Sequence, residues 1–121
     1  MNVAVLGASA KPERTSFQAV KLLREKGHAV YPVHPSLREI EGLAVYPSLD
    51  QVPVRIDTVT LYLSARNQAG VAEALLASAP RRVIFNPGTE NRDLETRLQE
   101  AGVETLQACT LVLLKTGAFA P

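Results

Sequence analysis

The chain has 121 residues, 46% of them hydrophobic and 21% charged, with a net charge of +1 and one cysteine. That length suits one compact domain, 1–121, and the apolar share excludes a disordered chain. The near-neutral balance argues against a nucleic-acid binder, and a single Cys109 supports neither a disulfide framework nor a zinc cluster, which fits a reducing cytoplasm.

Val3 to Leu6 is a short apolar run that stops at Gly7 and reads as a buried strand. Phe17, Val20 and Leu23 then recur at helical spacing. Thr15 and Gln18 have capping-box spacing and place the helix start near Thr15, with Gly27 as the stop. Ala29 to Val33 is a second strand, and Pro32 within it requires an early end or pairing on one side. His34 to Leu49, with Pro35, Gly42 and Pro47, reads as an irregular connection with at most one helical turn.

Asp57 to Leu63 is a third strand by β-propensity. Ser64 can cap a helix through Val71, Leu75 and Leu76 that ends before Pro80. Arg82 to Asn86 is a fourth strand, closed by Pro87-Gly88. Asn91 can cap a helix carrying Leu94 and Leu98, stopped by Gly102, and Val103 to Leu106 is a fifth strand. Leu111 to Leu114 fits either a short helix or an edge strand. No run reaches membrane-spanning length, and the first six residues do not form a signal peptide.

This alternation calls for a doubly wound, Rossmann-like α/β fold. The expected sheet is mainly parallel and five-stranded, in the order 3-2-1-4-5, with helices on both faces. Ligands bind such sheets beyond the carboxyl ends of the strands, here expected near the switch between the first and fourth. The turn Gly7-Ala8-Ser9 opens the first helix, where free N–H groups meet phosphates. Thr15 and Ser16 supply hydroxyls for capping or phosphate contact, and Lys11 and Arg14 flank them with positive charge. Only one glycine of a dinucleotide fingerprint is present. The second strand ends Val33-His34-Pro35, without the carboxylate that holds an NAD ribose. A phosphorylated ribose is admitted, with His34, Arg38 or Lys11 as partners. Ser64, Asn86, Pro87 and Gly88 follow later strands and complete the candidate contacts.

Val5-Leu6-Gly7-Ala8-Ser9, Val30-Tyr31-Pro32-Val33-His34-Pro35, Gly42, Tyr46-Pro47-Ser48-Leu49 and Asp57-Thr58-Val59 together resemble the small CoA-binding domain proteins. These are similar to the CoA-binding domain of the succinyl-CoA synthetase alpha subunit, and the likeness spans essentially the whole chain. The resemblance implies coenzyme A or an acyl-CoA across the carboxyl edge of the sheet. Gly7, Ala8, Ser9, Thr15 and Ser16 would meet its phosphates, and His34 and Pro35 the adenosine side. The chain departs from the family pattern at His34, where asparagine is usual, at Leu63-Ser64, at Ile84 to Gly88 and at Gln107-Ala108-Cys109.

No nucleophile and base are paired in the sequence, and no metal-ligand spacing occurs. Glu90 is a lone acid after a turn. Cys109 reads as a small buried hydrophobe, or more sharply as a partner for the CoA thiol. The function expected is a non-enzymatic CoA or acyl-CoA module acting as a sensor or partner subunit, alone or as a homodimer, away from membranes and nucleic acid. The alternatives are a small NADP- or other nucleotide-dependent enzyme, and an interaction subunit that has lost its ligand. An exposed apolar patch along Leu111 to Phe119 would favour the last.

Overall fold

The computed structural model describes residues 1–120. Strand β1 (Asn2–Leu6) leads into helix α1 (Thr15–Glu25) and strand β2 (Ala29–Val33). A two-stranded hairpin, β3 (Glu39–Ile40) and β4 (Leu43–Ala44), and a 3-10 turn at Leu49–Gln51 precede β5 (Thr58–Leu61). Helix α2 (Ala72–Ser78), β6 (Arg82–Phe85), α3 (Arg92–Glu100), β7 (Glu104–Gln107) and α4 (Thr110–Thr116) complete the order.

The main sheet is all parallel, β2-β1-β5-β6-β7. Its three central strands, β1, β5 and β6, are buried on both faces, which is why they lack the alternation of a half-exposed strand. One face packs Ala4, Leu6, Val59, Leu61, Val83 and Phe85 against Leu75 of α2 and Leu94 and Leu98 of α3. The other packs Val3, Val5 and Ile84 against Phe17, Val20 and Leu23 of α1 and Leu114 of α4. No helix among the described residues is long and apolar enough to cross a membrane.

The strand order corrects the expectation of 3-2-1-4-5. Counting the five main strands along the chain, the observed order is 2-1-3-4-5, so the third strand lies beside the first. The place outside β2 is filled locally. Tyr46 N–H donates to Pro32 O and His34 N–H donates to Tyr46 O, both at 3.0 Å. Pro32 therefore presents its missing N–H to this outer edge, where only its carbonyl is needed. The next strand inserts on the free side of β1. Consecutive helices α1 and α2 then cover opposite faces, and the switch falls between β1 and β5, not between the first and fourth strands.

Two caps also differ from expectation. Helix α1 begins at Thr15, but Arg14 occupies the N-cap and no side chain caps the helix. The Gln18 side chain donates instead to Pro12 O at 3.5 Å. Ser64 precedes only a 3-10 turn, Ala65–Asn67, and α2 starts eight residues later than that serine. Asn91 caps α3 as expected, its Oδ1 accepting from Leu94 N–H at 3.2 Å. The ambiguous C-terminal run resolves as α4.

Candidate functional site

The carboxyl ends of β1, β2 and β5 converge on one cleft of about 360 Å³. Its walls are the turn Gly7-Ala8-Ser9, the head of α1 (Thr15, Ser16), Lys11, Arg14, His34, Tyr62 and Leu63. Gly7 is forced by two constraints. Its φ is +89°, and a Cβ there would lie 3.1 Å from the Leu63 side chain and 3.2 Å from the Tyr62 carbonyl carbon. Gly7 and Ala8 N–H both donate to Val33 O, at 3.3 and 3.2 Å. These two amides stitch β1 to β2, so this turn offers close backbone approach rather than free donors.

Free donors lie at the head of α1. The first-turn N–H groups of a helix have no intrahelical acceptor, and no side chain supplies one here. The first turn also contains no acid. Ser16 is buried at 5% exposure, with its residue forming part of the cleft wall, while Lys11, Arg14 and Thr15 are exposed around it. Partial positive charge from the helix, two cations and the hydroxyl residues Ser9, Thr15 and Ser16 meet in a lining with no carboxylate, an arrangement suited to an anion.

A second cavity of about 410 Å³ adjoins the first and shares Gly7, His34 and Leu63 with it. Its lining is mostly apolar, with Val33, Pro35, Pro47, Leu49, Val71 and Ala74 prominent. At the junction, His34 Nδ1 accepts from the N–H groups of Ser36 and Leu37, each at 3.1 Å. A third, small cavity of about 40 Å³ lies at the opposite, amino edge beside Arg82 and is too small for a nucleotide.

Of the residues singled out from sequence, eight line the polar cleft and Pro35 lines the groove. Four stand outside both linings. Ser64 Oγ accepts from Asn67 Nδ2 at 3.0 Å, and Pro87 and Gly88 are exposed beyond β6. Asn86 is buried at 2% exposure and ties three elements together. Its Nδ2 donates to Thr60 Oγ1 at 2.8 Å and Leu61 O at 2.9 Å, and its Oδ1 accepts from Thr110 N–H at 2.8 Å. Glu90 accepts from Gly88 N–H at 2.9 Å and so closes its own turn. Cys109 is a free thiol and half-buried rather than fully buried.

Tyr62 and Leu63 belong to the stretch Tyr62 to Arg66 that the sequence places at the carboxyl edge of the sheet, and they wall the cleft. Pro47, Leu49 and Val71 carry no signal in the sequence of the groove they line. Tyr62 carries an unusual group. Among the described residues its hydroxyl is buried with no partner in hydrogen-bonding geometry, and burial pushes the phenol up to about 12, against smaller lowering effects of the nearby Thr60 and Thr110 hydroxyls, which bond each other at 2.7 Å.

A doubly wound parallel sheet with a polar cleft at its topological switch defines a Rossmann-like α/β domain. A family model described as a CoA binding domain matches residues 1–115, and the chain belongs to that family. It is 30% identical over 100 residues to the uncharacterized protein YneT of Bacillus subtilis, covering 83% of this chain and 74% of that one. A crystal structure of an uncharacterized protein superposes with a TM-score of 0.88 at 38% identity, covering 98% of this chain and 97% of the other. The alpha subunit of an ADP-forming acetate–CoA ligase II of Pyrococcus furiosus is 36% identical over 56 residues. That match takes in 46% of this chain and 12% of the subunit.

Proposed function

We propose that the protein binds coenzyme A or an acyl-CoA as a non-catalytic module, acting as a sensor or partner subunit. The observation that carries this reading is the continuity of the polar cleft at the head of α1 with the apolar groove beside β2. An adenine nucleotide has the same two-part chemistry. Its pyrophosphate suits the free α1 amides, Thr15, Ser16, Lys11 and Arg14. Its base suits the groove between Pro35, Pro47 and Val71, where flat apolar surface is buried. The name of the Pyrococcus furiosus relative, an acetate–CoA ligase subunit, points to the same cofactor.

Isothermal titration with CoA, acetyl-CoA, NAD and NADP tests the reading. CoA and acetyl-CoA should bind and NAD should not. Ser16→Glu places a carboxylate at the phosphate position and should weaken CoA binding by tenfold or more, as about 1.4 kcal/mol of lost or repelled charge contact requires. Arg14→Glu, at an exposed position where folding is not at issue, should weaken it in the same direction. If none of the four ligands binds the parent protein, the reading is wrong and the cleft must serve a protein partner or another anion.

A further inference from the structure

His34 stands where the polar cleft and the apolar groove meet and lines both. Its Nδ1 accepts from Ser36 N–H and Leu37 N–H at 3.1 Å each and lies 3.4 Å from Ser36 Oγ. A ring nitrogen that accepts two N–H bonds directs its lone pair at them and carries no proton. The neutral imidazole therefore holds its proton on Nε2. His34 N–H is itself fixed to Tyr46 O at 3.0 Å, so backbone and ring are both anchored. Among the described residues Nε2 has no hydrogen-bond partner, and it is not one of the buried unpartnered atoms, so it is an accessible donor at the junction.

In a nucleotide lying with its phosphates in the cleft and its base in the groove, the ribose falls at this junction. Dinucleotide sites that bind a free ribose diol place a carboxylate there to accept from the hydroxyls. This site has the opposite polarity, a fixed N–H donor and no carboxylate in either lining. A donor bonds an anionic oxygen about twice as strongly as a neutral one.

We propose that His34 is a specificity-determining residue that, through Nε2–H, selects a ligand with a phosphorylated ribose over one with a free diol. This rests on the nucleotide reading of the cleft given above. The ligand class is a 3′-phosphoadenosine nucleotide such as CoA, and the discriminated analogue is 3′-dephospho-CoA.

The test is titration of both compounds into the parent protein, His34→Asp and His34→Asn, with circular dichroism confirming that each variant is folded. The parent should prefer CoA by about tenfold or more, the size of one charge-assisted hydrogen bond. Asp retains an oxygen to accept from Ser36 and Leu37 but removes the donor, so its preference should vanish or invert. Asn retains both an acceptor and an N–H donor and should recover part of the preference. Long-range nitrogen–proton NMR of the imidazole should show a protonated Nε2 and a bare Nδ1 in the ligand-free protein. A proton on Nδ1, or an equal CoA to dephospho-CoA ratio in the parent and His34→Asp, overturns the inference while CoA binding itself stands. Failure of both compounds to bind the parent overturns the inference and the nucleotide reading together.

Discussion

Tyr62 has two environments. Its residue walls the ligand cleft, while its hydroxyl is buried with no hydrogen-bond partner. A phenol in an unfolded chain titrates near 10, and the folded protein holds this one up to about 12, chiefly through burial. Below pH 10 both states keep the proton, and the shift has no effect on stability. Between the two values the unfolded chain ionises first, so stability falls as pH rises through that window. The full two-unit difference corresponds to about 2–3 kcal/mol. Tyr62→Phe should flatten this alkaline limb. At pH 7 it should change stability by less than about 1 kcal/mol, because removing an unpartnered hydroxyl leaves nothing newly unsatisfied. Urea midpoints at pH 7, 9 and 11 measure both effects, and a loss above about 2 kcal/mol at pH 7 would mean the hydroxyl is bonded after all. Nothing in the sequence distinguishes Tyr62 from an ordinary strand tyrosine, because the burial of its tip depends on α4 packing from the far end of the chain.

The elements most legible in the sequence are those whose signals are local. Helix α1 follows from the spacing of Phe17, Val20 and Leu23 and from Gly27, which takes a φ of +87° just past its end. Helix α2 is less legible because a distant contact delays it. The Gln68 side chain, 1% exposed, donates to Leu63 O at 2.8 Å and Thr89 O at 2.7 Å and accepts from Asn91 Nδ2. That side chain pins the segment after β5 to the β6–α3 connection before the helix can begin. The β3–β4 hairpin turns at Glu41-Gly42, both with positive φ, but its two-residue strands are too short to show a period. The C-terminal segment is ambiguous in sequence; α4 is held by Leu114 and Thr110, and the residues after it by Phe119. Phe119 is 2% exposed, lies under the Arg82 guanidinium at 4.7 Å and meets His28 edge-on at 5.1 Å. Arg82 also donates to Phe119 O and to Thr58 Oγ1. The end of the tail is thus tucked onto the molecule, while Val112 of α4 stands 55% exposed. Phe119→Ala should cost about 3 kcal/mol or more. Combined with Arg82→Met it should cost less than the sum of the two by at least about 0.5 kcal/mol, because the two residues share one contact. Strict additivity in chemical denaturation would show that the tail is held elsewhere.

The order of the strands belongs to the whole molecule, and the alternation of elements does not determine it. Two doubly wound orders share that alternation, and the choice depends on what covers the outer edge of β2. Here Tyr46, twelve residues before β5, takes that edge, and no periodicity announces a two-bond bridge. Gly7, Thr15 and Ser16 travel with β1 and α1, so they wall the cleft under either order. The residues after β6 stand outside it, since the cleft opens between β1 and β5 and leaves Asn86 to brace the sheet. This geometry makes ligand binding and folding stability one quantity. A ligand in the cleft touches the β1 turn, the head of α1 and the ends of β2 and β5, all of which exist only in the folded sheet. CoA at one hundred times its dissociation constant should therefore add about 2.7 kcal/mol to stability. For a domain of this size that is a rise in Tm of roughly 10 °C. The cations around the proposed phosphate position, Lys11 and Arg14, are exposed, so salt screens them. At a fixed CoA concentration the rise should shrink between low salt and 0.5 M, as the Debye length falls from about 10 Å to well under that. A rise that does not respond to salt would place the bound ligand in the apolar groove alone, with its phosphates outside the α1 cleft.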